Sequence, residues 1–102
     1  MVKLDKIYTR GGDGGETSLG DGSRVAKYSL RVHAQGDIDE TNAMIGLARR
    51  FADPETTDAV LSRIQNDLFD LGADVTRPGD DHTDGNLRIQ PGQVDRLEAE
   101  ID

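Results

Sequence analysis

Cysteine and tryptophan are both absent from this chain of 102 residues. Without cysteine the protein can form no disulfide framework, no thiolate metal site and no thiol nucleophile. A chain without disulfides is typical of a reducing cytosol, so we predict a cytoplasmic location.

Apolar residues are scarce as well, at 34% of the chain, and the aromatic residues are two Tyr and two Phe. The length limits the chain to one small domain or a part of one, and its core would be thin for that size. We therefore expect a partner surface. The sequence has neither a signal peptide nor the roughly 18 uninterrupted apolar residues of a membrane helix, so we expect no membrane association.

Positive charge is in deficit, with 12 Lys and Arg against 20 Asp and Glu and a formal net charge of -8. This balance argues against nucleic-acid binding, because a phosphate backbone needs positive contact patches. The charge is uneven, however, since residues 1–31 contain six Lys and Arg against four acids. The N-terminal third is where an anionic ligand is expected.

The segment from Tyr8 to Lys27 contains half of the chain's 12 glycines. Each glycine costs about 1 kcal/mol of backbone entropy relative to alanine in a helix, so we predict a loop without a helix or a central strand. Its glycine N–H groups, hydroxyls and cations suit a polyphosphate. The side chains concerned are Thr9, Thr17, Ser18, Arg10 and Lys27.

Composition alone leaves a second interpretation of this segment open, which is a flexible tail. The glycines match neither standard nucleotide fingerprint. No Gly-Lys-Ser/Thr follows at P-loop spacing, and no apolar strand precedes the segment as in a dinucleotide fold. A doubly wound α/β fold is therefore not expected.

Helical patterns fill most of the remaining chain. The spacing of Asp37 and Glu40 is that of a capping box, which predicts the start of a first helix, with an extension back through Gly36 as an alternative. A second helix is predicted to open near Pro54, in the first turn, and to end at Arg77-Pro78-Gly79. Its apolar stripe consists of Val60, Ile64, Leu68, Leu71 and Val75.

A third helical period begins after Pro91-Gly92, with apolar residues at Val94, Leu97 and Ile101. It reaches Asp102 without a stop signal, and we expect a truncated helix. Three amphipathic helices predict an all-α fold, a helical bundle whose other members lie in missing sequence or in other subunits.

The histidines and the acidic loop are not predicted to bind metal. His33 and His82 lack the spacing of a metal site. The acids Asp80, Asp81 and Asp84 resemble half of a calcium loop, but no Glu occupies its closing position, so we interpret them as a solvated loop.

The order of residues resembles the trimeric ATP:corrinoid adenosyltransferases of the propanediol-utilisation type. The likeness spans nearly the whole chain. It rests on the runs Lys6-Ile7-Tyr8-Thr9-Arg10 and Gly36-Asp37-Ile38-Asp39-Glu40-Thr41-Asn42, on Gly12, Asp13, Gly15, Thr17, Leu19, Gly22, Arg24 and Lys27 between them, and on Ile64-Gln65, Leu68-Phe69 and Leu71-Gly72-Ala73-Asp74.

The resemblance implies a five-helix bundle, usually a homotrimer, with ATP and a corrinoid between neighbouring subunits. Residues 1–102 would be the N-terminal portion of one such domain, with an ATP-binding loop in 1–30 and bundle helices in 31–102. Mg²⁺ would bridge the phosphates, without a metal site of the protein's own. The ATP contacts implied are Thr9, Arg10, Gly11, Gly12, Thr17, Ser18 and Lys27.

In the family's reaction, Co(I) of the reduced corrinoid, cob(I)alamin, attacks C5′ of ATP and displaces triphosphate, so the protein needs no nucleophile. Arg10 and Lys27 would neutralise the departing triphosphate. Asp39 lies in the segment that supplies an acid across the subunit interface. Its alternative interpretation is a solvated acid in the first turn of a helix, stabilised by the helix dipole.

The sequence departs from the family in two respects. Position 11, often Thr or Asn in the family, is Gly11 here. Relatives also continue into helices bearing Leu-His, Ala-Arg-Thr and Arg-Arg-Ala-Glu-Arg patterns, which residues 1–102 do not contain, so we expect weak or no turnover from them alone. Three hypotheses stay open: an enzyme completed by further helices and served by a corrinoid reductase, an ATP-binding module, and a helical interaction fragment.

Overall fold

The protein is described by a computed structural model that covers residues 6–79 and 87–102. Its helical fold confirms the predicted all-α bundle class, with one small two-stranded sheet added. The elements in chain order are β1 Glu16–Ser18, β2 Arg24–Ala26, α1 Leu30–Arg49, α2 Thr57–Val75 and α3 Pro91–Ile101. None of the helices in the described ranges is long and apolar enough to cross a membrane.

Helix α1 begins earlier than the capping-box pattern predicted. Its N-cap is Ser29, whose hydroxyl accepts a hydrogen bond from the Val32 N–H at 3.3 Å. This bond satisfies one of the N–H groups that a helix start leaves unpaired. Asp37 and Glu40 therefore lie inside the helix, and the capping box at that position is wrong. The alternative extension back through Gly36 is confirmed.

Helix α2 begins at Thr57, so the predicted opening at Pro54 is wrong by a short turn. The Asp53 carbonyl accepts the Asp58 N–H at 2.9 Å and closes that turn. The predicted end is confirmed, because α2 stops at Val75 and Gly79 follows with a φ of 110°. The predicted third helix is present, but α3 begins at Pro91 itself rather than after Pro91-Gly92.

Several polar contacts join α1 and α2. Asn42 and Gln65 exchange hydrogen bonds between side-chain amides and backbone carbonyls at 3.4 and 3.0 Å. Arg49 reaches Gln65 at 2.9 Å and pairs with Asp58 at 2.8 Å. Gly46 permits this approach, since an added Cβ would lie 2.9 Å from the Gln65 amide nitrogen.

Helix α3 is held against α2 by ion pairs and hydrogen bonds. The buried carboxylate of Asp67 pairs with Arg96 and accepts a hydrogen bond from Gln93 at 2.9 Å. Glu100 pairs with Arg63 at 2.9 Å. A buried carboxylate such as that of Asp67 is stabilised by partners of this kind, and these partners fix how the two helices meet.

The apolar core is thin, as the composition predicted. Leu19 is the one hydrophobic residue in the described ranges that is buried, and it is not fully so. Large apolar side chains along α1 and α2 and in the turn between them are exposed, with Leu30 on α1 and Phe51 in the turn the most exposed of these. The others are Met44, Leu47 and Phe69.

The glycine-rich segment folds as a β-hairpin, so the prediction of a loop without strands is wrong in part. β1 and β2 pair antiparallel, with Thr17 opposite Val25. The glycines lie before and between the strands, and the strands themselves contain none. The entropy cost of glycine therefore does not apply to the strand residues. Gly22 has a φ of 85° in the connecting turn.

Candidate functional site

A tight turn precedes the hairpin and contains the backbone conformation least favourable to a side chain. Arg10 has a φ of 59°, which for a residue with a Cβ costs about 1 kcal/mol. The turn is closed by hydrogen bonds from the Asp13 N–H to the Arg10 carbonyl at 3.1 Å and from Gly15 to Gly12 at 3.2 Å. The Arg10 guanidinium lies 5.2 Å from the Tyr8 ring centroid, a cation–π distance.

Lys27 brings its ammonium group onto this turn. A Cβ built on Gly12 would lie 2.9 Å from the Lys27 nitrogen, so the ammonium occupies the space that any larger residue at position 12 would need. The Lys27 N–H donates to the Gly15 carbonyl at 2.9 Å, which ties the end of β2 to the same turn. Gly12 and Lys27 are therefore brought together, as the polyphosphate interpretation requires.

Arg24 joins the turn to the hairpin, a role that the sequence reasoning missed. Its guanidinium donates to the Ser18 hydroxyl at 2.9 Å and to the carbonyls of Gly11 and Glu16 at 2.8 and 3.3 Å. Arg24 belongs to the motif that carries the family resemblance, which is the one sequence signal for its role. Its contacts could not be predicted, because they depend on the strand register that places Arg24 opposite Ser18.

The other predicted contact residues lie around the same turn. The Thr9 hydroxyl accepts the Gly11 N–H at 3.3 Å. Thr17 is half-buried in β1, and Ser18 is engaged by Arg24. The structure therefore gathers the predicted hydroxyls, glycines and cations at one end of the hairpin.

Cations near the turn lack acidic partners. Among residues 6–79 and 87–102, no carboxylate lies within ion-pair distance of Arg10, Arg24 or Lys27. The nearby acid Asp21 is occupied by Ser23, whose hydroxyl and N–H donate to it at 2.6 and 2.9 Å and lower its pKa. The positive charge of the turn is thus available to an external anion.

The hairpin is docked on the end of α2. The Gly20 N–H donates to the Thr76 carbonyl at 2.8 Å, and Leu19 is buried beside it. Gly20 fits closely, since an added Cβ would lie 2.6 Å from the Thr76 hydroxyl oxygen. Arg31 accompanies this contact by donating to the Val75 carbonyl at 2.7 Å. Carbonyls that the helix end leaves unpaired hold these elements in place.

Asp39 lies in α1, along an open groove of about 280 Å³ between α1 and α2. Its interpretation as a first-turn acid stabilised by the helix dipole is wrong, because the helix starts at Leu30. Thr76 lines the same groove and also receives the hairpin, so groove and hairpin share one anchor. The remaining lining residues are Gln35, Asn42, Leu68, Phe69, Gly72 and Ala73.

The predicted absence of a metal site concerns the histidines and the acidic loop. No group of three or more His, Cys, Asp or Glu able to hold a metal ion occurs within the described ranges. His33 lies 3.3 Å from Asp37, one turn along α1. His82 and the acids Asp80, Asp81 and Asp84 fall outside the described residues.

Proteins of known structure share the fold of this chain. A variant of the PduO-type ATP:corrinoid adenosyltransferase from Lactobacillus reuteri, complexed with cobalamin and ATP, superposes with a TM-score of 0.81 at 33% identity. The match covers 95% of this chain and 53% of that protein. A second variant of the same protein, complexed with ATP, gives a TM-score of 0.79.

Proteins that are similar in sequence belong to the same group. A corrinoid adenosyltransferase from Mycobacterium leprae (strain TN) is 49% identical over 107 aligned residues, covering 99% of this chain and 56% of that protein. This chain thus spans about half the length of these relatives. The family model of cobalamin adenosyltransferases matches residues 7–102. With that match across nearly its whole length, the chain belongs to the cobalamin adenosyltransferase family.

Proposed function

We propose that this chain supplies the ATP-binding half of an enzyme that transfers the 5′-deoxyadenosyl group from ATP to cob(I)alamin and releases triphosphate. The observation that carries the proposal is the glycine turn with Lys27 against Gly12, whose cations pair with no acid of residues 6–79 and 87–102. Such a turn offers N–H groups and positive charge to a polyphosphate.

The reaction assigns simple tasks to the protein. Co(I) forms a bond to C5′, the C5′–O bond breaks, and its electron pair leaves with the triphosphate. The protein therefore has to align C5′ with cobalt and stabilise charge on the leaving group. Arg10 and Lys27 perform the second task in this proposal.

The proposed ATP contacts are the residues gathered at the turn. Mg²⁺ is expected to arrive as MgATP, because phosphate oxygens are its usual ligands and no acidic cluster occurs among the described residues. Asp39, in the groove, is proposed to act across a subunit interface. The contacts proposed are Thr9, Arg10, Gly11, Gly12, Thr17, Ser18 and Lys27.

The wider assignments are proposals of the same kind. We propose that residues 1–30 form the ATP-binding part and residues 31–102 the first helices of one domain. The exposed side chains of Met44 and Leu47 on α1 and of Phe51 just after it support association with further helices or subunits, such as a homotrimer. A cytoplasmic location and a reductase that delivers Co(I) complete the proposal.

A second candidate is an ATP-binding module without turnover. It is favoured by one observation, that the chain covers about half of its relatives' length. Formation of adenosylcobalamin from MgATP and cob(I)alamin separates the candidates, because a binding module retains ATP affinity and forms no product. A helical interaction fragment would bind no ATP, and MgATP would leave its melting temperature unchanged.

The test removes the Lys27 ammonium in the complete protein, with its full reading frame. A hydrogen bond involving a charged group contributes about 1.5–3 kcal/mol, so Lys27→Ala should raise the Kd for MgATP by roughly 10- to 150-fold in calorimetry. Arg50→Ala removes the same charge at the far end of α1 and should leave the Kd within about twofold. Equal affinity of Lys27→Ala and wild type would contradict the proposal.

A further inference from the structure

We propose that Arg24 is a positioning residue that presets the Gly12 N–H of the turn for the triphosphate. The inference rests on the proposed function, since it names how the same site is organised. Arg24 is not among the proposed ATP contacts, and its guanidinium is directed at the protein's own backbone.

The contacts of Arg24 link two separate pieces of chain. One terminal nitrogen donates to the Gly11 carbonyl at 2.8 Å and to the Glu16 carbonyl at 3.3 Å. The other terminal nitrogen donates to the Ser18 hydroxyl at 2.9 Å. A single side chain from β2 therefore holds the turn and β1 at a fixed separation.

The Gly11 carbonyl determines the direction of one N–H group of the turn. A peptide unit is planar and trans, so its N–H points opposite to its C=O. The Gly11 carbonyl shares a peptide unit with the Gly12 N–H, so a bond from Arg24 on one side directs the Gly12 N–H to the other side. The Thr17 N–H, which shares a peptide unit with the Glu16 carbonyl, pairs with β2, so the bond from Arg24 to Glu16 fixes the turn to the hairpin.

The Gly12 N–H is a suitable donor for a ligand. Among the described residues no acceptor takes it. It is next to the Lys27 ammonium, which lies within 2.9 Å of the Cβ position on Gly12. Because Arg10 holds a φ of 59° directly before Gly11, the peptides here need an outside contact to stay in place, and Arg24 provides it.

Only arginine satisfies this geometry. Its planar guanidinium presents five N–H donors in a rigid fork, whereas a lysine ammonium is a compact group on a flexible stem. All three acceptors are uncharged, so the bonds depend on the shape of the fork. The charge-conserving variant Arg24→Lys should therefore fail nearly as fully as Arg24→Gln.

Steady-state kinetics of the complete protein test the inference. Arg24→Lys and Arg24→Gln should each raise the KM for ATP by about tenfold or more, with the KM for cob(I)alamin and kcat within about twofold. Arg50→Lys, a matched change at an exposed arginine of α1, should leave all three within about twofold. A loss of folded protein would lower kcat and leave both KM values, so that pattern would overturn the inference.

Two further outcomes overturn it. If Arg24→Lys behaves as wild type while Arg24→Gln fails, Arg24 acts through its charge on the phosphates. If neither variant changes the KM for ATP, Arg24 has no role in binding. In both cases wild-type turnover leaves the proposed function standing, whereas a wild-type protein that binds no ATP removes both proposals.

A ligand-free measurement adds an independent readout. The NMR order parameter of the Gly12 N–H should fall in Arg24→Lys from the rigid range of about 0.85 toward 0.6 or below, while residues of α2 keep theirs. An unchanged order parameter at Gly12 would contradict the preset geometry even if the KM rose.

Discussion

Arginines of the helical body and cations of the hairpin are used in opposite ways. Four helix-side arginines each pair with a carboxylate, as Arg96 does with the buried Asp67. The other pairs are Arg49–Asp58, Arg63–Glu100 and Arg88–Asp74. In the hairpin, Lys27 has no carboxylate partner within the described ranges, and Arg24 binds uncharged oxygens. Charge stabilises structure in the first region and remains available to a ligand in the second.

The difference explains how a chain of net charge -8 can offer an anion site. The surplus of acid belongs to residues 32–102, where Asp58, Asp67, Asp74 and Glu100 pair with arginines. Removing one partner of an ion pair between the helices should lower the stability of the fold, because it leaves the other charge buried and uncompensated. In the hairpin, Arg24 and Lys27 have no carboxylate partner within the described ranges. Substitutions there should therefore affect ligand binding more than stability.

The largest expected effect on stability is at Asp67. Asp67→Ala removes the partner of Arg96 and one acceptor of Gln93, and should lower the free energy of unfolding by about 2 to 4 kcal/mol. Urea unfolding followed by circular dichroism of the helices measures this. The KM for ATP of the folded fraction should stay within about twofold.

Asp95→Ala is the matched control, because it removes an exposed carboxylate of α3 and should change stability by at most about 0.5 kcal/mol. Equal stabilities of Asp67→Ala and Asp95→Ala would contradict the contrast between the two regions, because the ion pairs would then contribute nothing to the stability of the helices.

The next effect concerns the joint between the regions. A Cβ at Gly20 would lie 2.6 Å from the Thr76 hydroxyl oxygen, so Gly20→Ala should displace the hairpin from α2 and lower the free energy of unfolding by about 1 to 2 kcal/mol. Its Kd for MgATP should rise as well.

The double variant Gly20→Ala/Thr76→Ala removes the opposing oxygen and should restore part of both losses. Gly14→Ala serves as control, because nothing lies within 4 Å of its Cβ position. If the losses of the two single variants simply add in the double variant, with no recovery, the close packing of Gly20 against Thr76 is refuted.

The smallest effect is a pH dependence in the body. The Arg49 guanidinium beside Asp58 lowers the pKa of that carboxyl. A carboxyl whose pKa is lower in the folded state adds stability above its unfolded pKa of about 3.9, and this is lost as the pH falls through the folded value. Stability should therefore decline below about pH 4.

Asp58→Asn should flatten this decline in urea titrations between about pH 5 and pH 2, whereas Asp95→Asn should leave its slope unchanged. Identical slopes for Asp58→Asn and wild type would show that the Arg49–Asp58 pair does not contribute.

Sequence patterns predicted the later helices well. The apolar periods of α2 and α3 are local signals, and packing did not override them. The start of α1 was misplaced, because Ser29 is followed at the third helical position by Val32, which gives no capping-box signature. Asp37 and Glu40 carry that spacing in the helix interior, where it caps nothing.

The hairpin was harder to predict for a physical reason. Its strands have three residues each, too short for alternation to show, and they are surrounded by glycine. The predicted contacts Gly12 and Lys27 come together in the structure, whereas the part played by Arg24 depends on a register that no local pattern specifies. Docking of Gly20 on Thr76 is likewise a contact between segments distant in sequence.

The most direct test of the account is hydrogen exchange of the complete protein with and without MgATP. Amides from Gly11 to Lys27 should exchange more slowly with the nucleotide, by about tenfold or more, while the α2–α3 contact around Asp67 stays within about twofold. Exchange in the hairpin that is as fast with MgATP as without it would contradict the claim that this cationic turn binds the triphosphate.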